Sequence, residues 1–159
     1  MISKADPDQA ATPSGQSRAR ANLCDVQSAL RGAGLRPTRQ RLALGQLLFQ
    51  AGGRHITAEI LHEEAIRNSI PVSLATIYNT LNQLTEAGLL REIAVDGNRT
   101  YFDTNVSDHH HFLVEETNEI LDIPGPELGL ESLPEPPEGM EIARVDVVVR
   151  LREKPAGRR

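Results

Sequence analysis

Three consecutive histidines, His109-His110-His111, constrain this chain more than any other stretch. Three adjacent imidazoles suit neither an apolar core nor an ordinary solvated surface. Neutral imidazole is the commonest protein metal ligand, and it also holds haem iron. If the run lies in a strand, successive side chains point to opposite faces. His109 and His111 then share one face, and His110 points the other way. Two imidazoles do not fill a coordination shell, so other segments must bring ligands to this strand.

The charge distribution fits such a division of labour. Residues 1–41 hold seven basic against three acidic side chains, a balance of +4, whereas residues 107–139 hold nine acidic side chains and no Lys or Arg. A basic front and an acidic back are expected of a DNA-binding part joined to a cation-binding part. The single cysteine, Cys24, excludes an internal disulfide and any CxxC zinc knuckle. The first 22 residues are polar, and no window approaches the roughly 18 apolar residues of a membrane span. The expectation is a soluble, cytoplasmic protein with no membrane partner. Aromatic residues make up only 3% of the chain and Trp is absent, so the core must be aliphatic.

Along the chain, residues 1–21 lack periodicity and read as a disordered tail. A short helix is expected from Asn22 through Leu30. Thr38 is placed to cap a second helix carrying Leu44, Leu47, Leu48 and Ala51, stopped by Gly52-Gly53. His55-Ile56-Thr57 reads as an extended link. Thr57 is then the cap of a third helix with Ile60, Leu61 and Ala65 on its inner side. Ser73 caps a fourth helix with Leu74, Ile77, Leu81 and Leu84 as its buried stripe and Gly88 at its end. On a wheel of about 100° per residue, Ala75, Thr76, Asn79 and Gln83 face outward and Tyr78 sits at the edge. That face is small, polar and uncharged, as a helix reading base edges in a major groove would be. Leu90–Val95 and Arg99–Asp103 form a hairpin across Asp96-Gly97-Asn98.

Three helices and a hairpin in this order predict a winged helix-turn-helix over residues 22–104. Its phosphate contacts would come from Arg36, Arg39, Arg41 and Arg99. After the histidines, Phe112–Glu115 and Glu119–Ile123 read as strands around Glu116-Thr117-Asn118. Leu128, Leu130 and Leu133 suggest a helical turn or two in a proline-rich stretch. Ala143, Val145, Val147, Val149 and Leu151 alternate with polar residues as a last, half-buried strand. Three strands cannot cover both faces of a sheet, so residues 105–153 are expected to dimerise. Residues 154–159 are a basic tail. The fold class is α+β, a winged-helix domain followed by a small α/β dimerisation and sensing domain.

Four stretches carry a family likeness: Gly34-Leu35-Arg36-Pro37-Thr38-Arg39-Gln40-Arg41, His55-Ile56-Thr57-Ala58-Glu59, Ser73-Leu74-Ala75-Thr76-Ile77-Tyr78-Asn79-Thr80-Leu81, and the histidine run. With them the chain resembles the ferric uptake regulator family of metal-responsive transcription factors, and within it the iron response regulator branch of rhizobia and their relatives. The resemblance implies a homodimer or a higher oligomer. It implies a repressor of iron and haem metabolism genes on A/T-rich operator DNA, read by Ser73, Ala75, Thr76, Tyr78 and Asn79. It implies a metal site of His55, Asp103, His109, His111 and Asp122, for Fe²⁺, Mn²⁺ or Zn²⁺. It also implies haem sensing at His109, His110 and His111.

The departures are equally specific. Where most members hold a structural zinc by CxxC, this chain has Val114 and Thr117. A second metal site of some members is missing its acid, where His110 stands, and its last-strand histidine, where Val145 stands. Cys24 is followed by Asp25, not by the proline of a Cys-Pro haem motif, and reads as a small packing or surface residue. His62 reads as structural and Asp108 as a turn residue. Two other functions compete: a haem or metal buffer with no DNA role, and a metalloenzyme with a facial triad. The second lacks a glycine-rich loop, a nucleophile motif and a pocket lining, and the chain is expected not to be an enzyme.

Overall fold

A computed structural model describes residues 25–50, 52–96, 99–124, 128–129 and 132–155. The expected tail of residues 1–21, the Asn22 cap, Cys24, Ala51, the Gly97-Asn98 turn, Leu130 and the last four residues lie outside the described residues. Helix α1 covers residues 25–32, followed by α2 (Arg39–Phe49), β1 (His55–Ile56), α3 (Ala58–Arg67), α4 (Leu74–Glu86), β2 (Arg91–Asp96) and β3 (Arg99–Asp103). Then come β4 (His109–Val114), β5 (Glu119–Pro124) and β6 (Val148–Leu151).

The helix starts follow the sequence closely. Thr38, Thr57 and Ser73 each hold extended backbone and accept a hydrogen bond from the N–H three residues on, at Arg41, Ile60 and Thr76. Gly88 follows α4 at φ +77°, a conformation only glycine adopts freely. Gly45 on α2 lets α1 approach: a Cβ there would stand 2.5 Å from Val26 Cγ1. The helices enclose an aliphatic core of Val26, Leu30, Leu44, Leu48, Leu61, Ile77, Leu81 and Leu84, closed beneath by Ile56, Leu90 and Phe102.

Ile56 and Phe102 belong to a three-stranded antiparallel sheet in the order β1-β3-β2. The expected link at His55-Ile56 is thus the third strand of the hairpin sheet. Alternation sends Ile56 and Phe102 into the helical core and turns His55, Asp103, Arg91, Ile93 and Tyr101 to the opposite face. A second three-stranded sheet, in the order β5-β4-β6, lies against that face. Ile93, Val95 and Tyr101 of the first sheet and Leu113, Ile120 and Val148 of the second form a separate small core.

Several expectations need correction. Helix α2 ends at Phe49, ahead of Gly52-Gly53. Ile60 is 42% exposed, because inner positions on α3 are taken by Ala58, Leu61 and Ala65. The histidines lie inside β4, which begins at His109 instead of Phe112. No helical turn forms among the described residues around Leu128 and Leu133. The last strand covers only Val148–Leu151 and runs parallel to β4. Residues 143–147 precede it without ladder pairing, although Val147 O accepts the His111 N–H.

Candidate metal centre

Two cross-strand pairs build the site. In the first sheet His55 stands opposite Asp103, and in the second His111 stands opposite Asp122. Directly opposed residues share a face with their Cβ atoms about 5 Å apart, so each ladder delivers one imidazole with one carboxylate. His109, two residues before His111, joins on the same face. The five ligand atoms of His55, Asp103, His109, His111 and Asp122 lie within 4.8 Å of one another.

All three histidines point Nε2 inward. Asp103 Oδ2 lies 3.3 Å from His55, 2.8 Å from His109 and 3.1 Å from His111. Asp122 Oδ1 lies 2.8, 3.3 and 3.6 Å from the same three nitrogens. Ligands held about 2.0–2.2 Å from one ion stand about 3 Å apart when adjacent and about 4.2 Å apart when opposite. The observed spacing fits a first coordination shell.

Protonation chemistry leads to the same place. His109 Nδ1 donates to Ser107 O at 2.7 Å. The neutral tautomer this fixes leaves Nε2 a lone pair, facing a carboxylate oxygen 2.8 Å away. Two acceptors at that distance need a proton or a cation between them. His55 Nε2 is buried and aligned for a hydrogen bond with neither neighbouring carboxylate. Burial pushes the Asp103 carboxyl up, but contacts with His111 and His55 and the Asn105 N–H outweigh it and hold the group far below the ordinary carboxylate range. Burial likewise pushes His55 down, and the Asp103 and Asp122 carboxylates more than reverse this. A fully buried, ionised Asp103 ringed by imidazoles is a candidate cation site. A mixed set of three nitrogens and two oxygens suits Fe²⁺, Mn²⁺ or Zn²⁺.

His110 is not part of this cluster. As strand alternation requires, it points to the other face of β4. It is buried instead of facing solvent, and its Nδ1 accepts the Val147 N–H at 3.3 Å. The three imidazoles of the run thus do not converge on one point. His62 lies outside the cluster, with Nε2 3.2 Å from Val72 O, and Asp108 is exposed just before β4.

Most of the residues predicted to meet DNA are at the surface. Arg36, Arg39, Ser73, Ala75, Tyr78, Asn79 and Arg99 are exposed, while Arg41 and Thr76 are half-buried. Some of their groups are already engaged. Ser73 caps α4, and Arg41 donates to Arg36 O and to Gln83 Oε1. Tyr78 donates to Glu59 Oε1 at 2.5 Å.

Sequence reasoning missed a second layer around the histidines. Asn105 N–H bonds Asp103 Oδ1 at 2.8 Å, and Asn105 Oδ1 accepts from Ser107. Arg91, only 4% exposed, donates to Ser107 O at 3.2 Å and pairs with Asp146. A signal for Arg91 was present: it has the same parity as Ile93 and Val95, so a cation stood on the inward face of a strand.

The α+β fold and this site define a class, a protein with a candidate metal site whose possible ligands are divided between two small sheets. The family model that matches residues 32–149 is the "Ferric uptake regulator family", and the chain belongs to that family of metal-responsive transcriptional regulators. It is 35% identical over 102 residues to the ferric uptake regulation protein of Pseudomonas fluorescens, covering 64% of this chain and 83% of that one. It is 36% identical over 92 residues to the corresponding Vibrio cholerae (O395) protein, covering 58% of this chain and 61% of that one. Among solved structures it is similar to the ferric uptake regulator from Pseudomonas aeruginosa with manganese, at a TM-score of 0.65 and 28% identity, covering 81% of this chain and 98% of that one. The Vibrio cholerae regulator structure, at 23% identity and a TM-score of 0.63, shares the fold.

Proposed function

We propose that this chain is a sequence-specific transcriptional regulator, mainly a repressor, whose DNA binding is controlled by a divalent metal at His55, Asp103, His109, His111 and Asp122. The observation that carries this reading is the division of those ligands. His55 and Asp103 belong to the sheet that floors the helices, and His109, His111 and Asp122 belong to the second sheet. An ion bound by both fixes the angle between them, and a ligand that favours one arrangement shifts the population towards it.

In this reading residues 22–104 are a winged-helix reader, with α4 in the major groove and β2–β3 as the wing. Residues 105–153 are the dimerisation and sensing part, where a second copy covers the half-buried β6 side. Ala75, Tyr78 and Asn79 address base edges of A/T-rich operator DNA, with Ser73 and Thr76 at the start of the helix. Arg36, Arg39, Arg41 and Arg99 meet phosphates. Support comes from the exposed, uncharged outer face of α4, from family membership, and from the manganese named for the similar Pseudomonas aeruginosa structure.

The finer assignment is to the iron response regulator branch, with iron and haem metabolism genes as targets and haem as a second effector. It rests on the triple histidine and on the absence of CxxC at Val114 and Thr117. Haem ligation by His110 requires the segment at Val147 to lift away, since Val147 N–H bonds its ring. Fluorescence anisotropy of labelled A/T-rich duplex DNA, with chelator, with Mn²⁺ and with haem, tests the whole reading. Affinity is expected to rise on Mn²⁺ addition and to change with haem. Affinity indifferent to Mn²⁺ removes metal control, and indifference to haem removes the branch assignment alone.

A further inference from the structure

The metal site is not the sole join between the two sheets. Arg91 lies at the inward end of β2, opposite Asp103 and buried to 4% exposure. Its Nη2 pairs with Asp146, which sits in the segment ahead of β6, and its Nη1 donates to Ser107 O in the connection to β4. Its Nε has no partner. Beside it the apolar side chains of Ile93, Val95 and Tyr101 pack on Leu113, Ile120 and Val148. Two further bonds cross the same boundary: Arg150 to Val95 O at 2.7 Å and Tyr101 Oη to Asn118 O at 3.3 Å. Arg91 Nη1 also lies 3.5 Å from His109 Nδ1, whereas the Asp146, Arg150 and Tyr101 contacts involve no metal ligand's side chain.

We propose that Arg91 is a positioning residue of the regulator, whose ion pair with Asp146 latches the DNA-reading part onto the sensing part without metal. A buried guanidinium is costly unless its partners compensate it. Here the compensation for Nη1 and Nη2 comes from two segments outside the reader, so the pair with Asp146 and the bond to Ser107 O form only when the parts are docked. Arginine suits this role because its rigid planar fork presents a separate nitrogen to each acceptor, whereas lysine offers a single rotating point charge. The apolar contact supplies attraction and the ion pair fixes the register. The protein therefore holds a fraction of its molecules in the binding-competent arrangement before any metal arrives, and metal adds to that fraction. The inference rests on the regulatory reading above.

The test is DNA affinity of the full-length protein in chelator and in saturating Mn²⁺. The probe is an A/T-rich duplex enriched by the wild type from a random pool. Asp146→Asn is the decisive variant, because Asp146 is half-exposed and its loss leaves the cores intact; Arg91→Ala, Arg91→Lys and the reversal Arg91→Asp with Asp146→Arg accompany it. The wild type is expected to bind in chelator, and Asp146→Asn to lose about 5- to 10-fold there. In Mn²⁺ the loss should shrink to within about 2-fold, as metal substitutes for the latch. Arg91→Lys should fall between wild type and Arg91→Ala, and the reversal should recover part of the loss. An equal loss in both conditions, or no loss in either, overturns the latch. Wild type that binds DNA only with Mn²⁺ also overturns it while sparing the regulatory reading; wild type that enriches no duplex from the pool in either condition overturns both.

Discussion

The two sheets have three strands each and rest on different foundations. The first has a face sealed by helices, with Ile56 and Phe102 essentially without solvent exposure. The second has no helices on it among the described residues. Its edge strand β6 is only half-buried, Leu121 is 42% exposed, and its buried Leu113 and Ile120 meet side chains from the first sheet. A sheet with one face on a core stands alone, whereas a thin sheet relies on what lies against it. The dependence suits a sensor. The element that must respond to a ligand is drawn from the less stable end of the structure, and the ligand atoms sit where the two sheets meet.

Three substitutions sharpen that contrast. Phe102→Ala should have the largest effect, about 3–5 kcal/mol of unfolding free energy. It empties the floor of the helical core, and urea denaturation followed by circular dichroism should show the first part failing outright. Asp103→Asn comes next. It keeps the shape of the side chain and removes the charge that faces three imidazoles. Wild type at about 100 times the dissociation constant of Mn²⁺ should gain about 2.7 kcal/mol of stability, and the variant should gain almost none in the same thermal-shift titration. Wild-type-like stabilisation would mean that Mn²⁺ binds elsewhere. Ser73→Ala is the smallest, about 1 kcal/mol. It frays the start of α4 and should weaken DNA binding with Mn²⁺ affinity unchanged, which isothermal calorimetry would check.

Much of the first part was legible from sequence because its signals are local. Thr38, Thr57 and Ser73 each announce a helix start through a side-chain bond three residues ahead, and the stripe of Ile77, Leu81 and Leu84 needs no distant partner to be recognised. The pairing of His109 with His111 followed from alternation alone. What escaped depends on contacts remote in sequence. The strand role of His55-Ile56 exists only through its pairing with Phe102 and Asp103. The burial of His110 comes from a segment 37 residues later. The parallel pairing of β6 with β4, and the pair of Arg91 with Asp146, likewise join stretches that no periodicity links. The alternation through Ala143–Leu151 did predict a half-buried segment, but only its last four residues found a ladder.

The histidine run offers the sharpest trial of metal control. DNA affinity is measured across a Mn²⁺ titration for the wild type and for His109→Ala, His110→Ala and His111→Ala separately. The wild type and His110→Ala should gain affinity as Mn²⁺ is added, while His109→Ala and His111→Ala stay at their metal-free level. Three variants that respond alike, or a His110→Ala variant that alone loses the response, would contradict a metal site built on one face of β4.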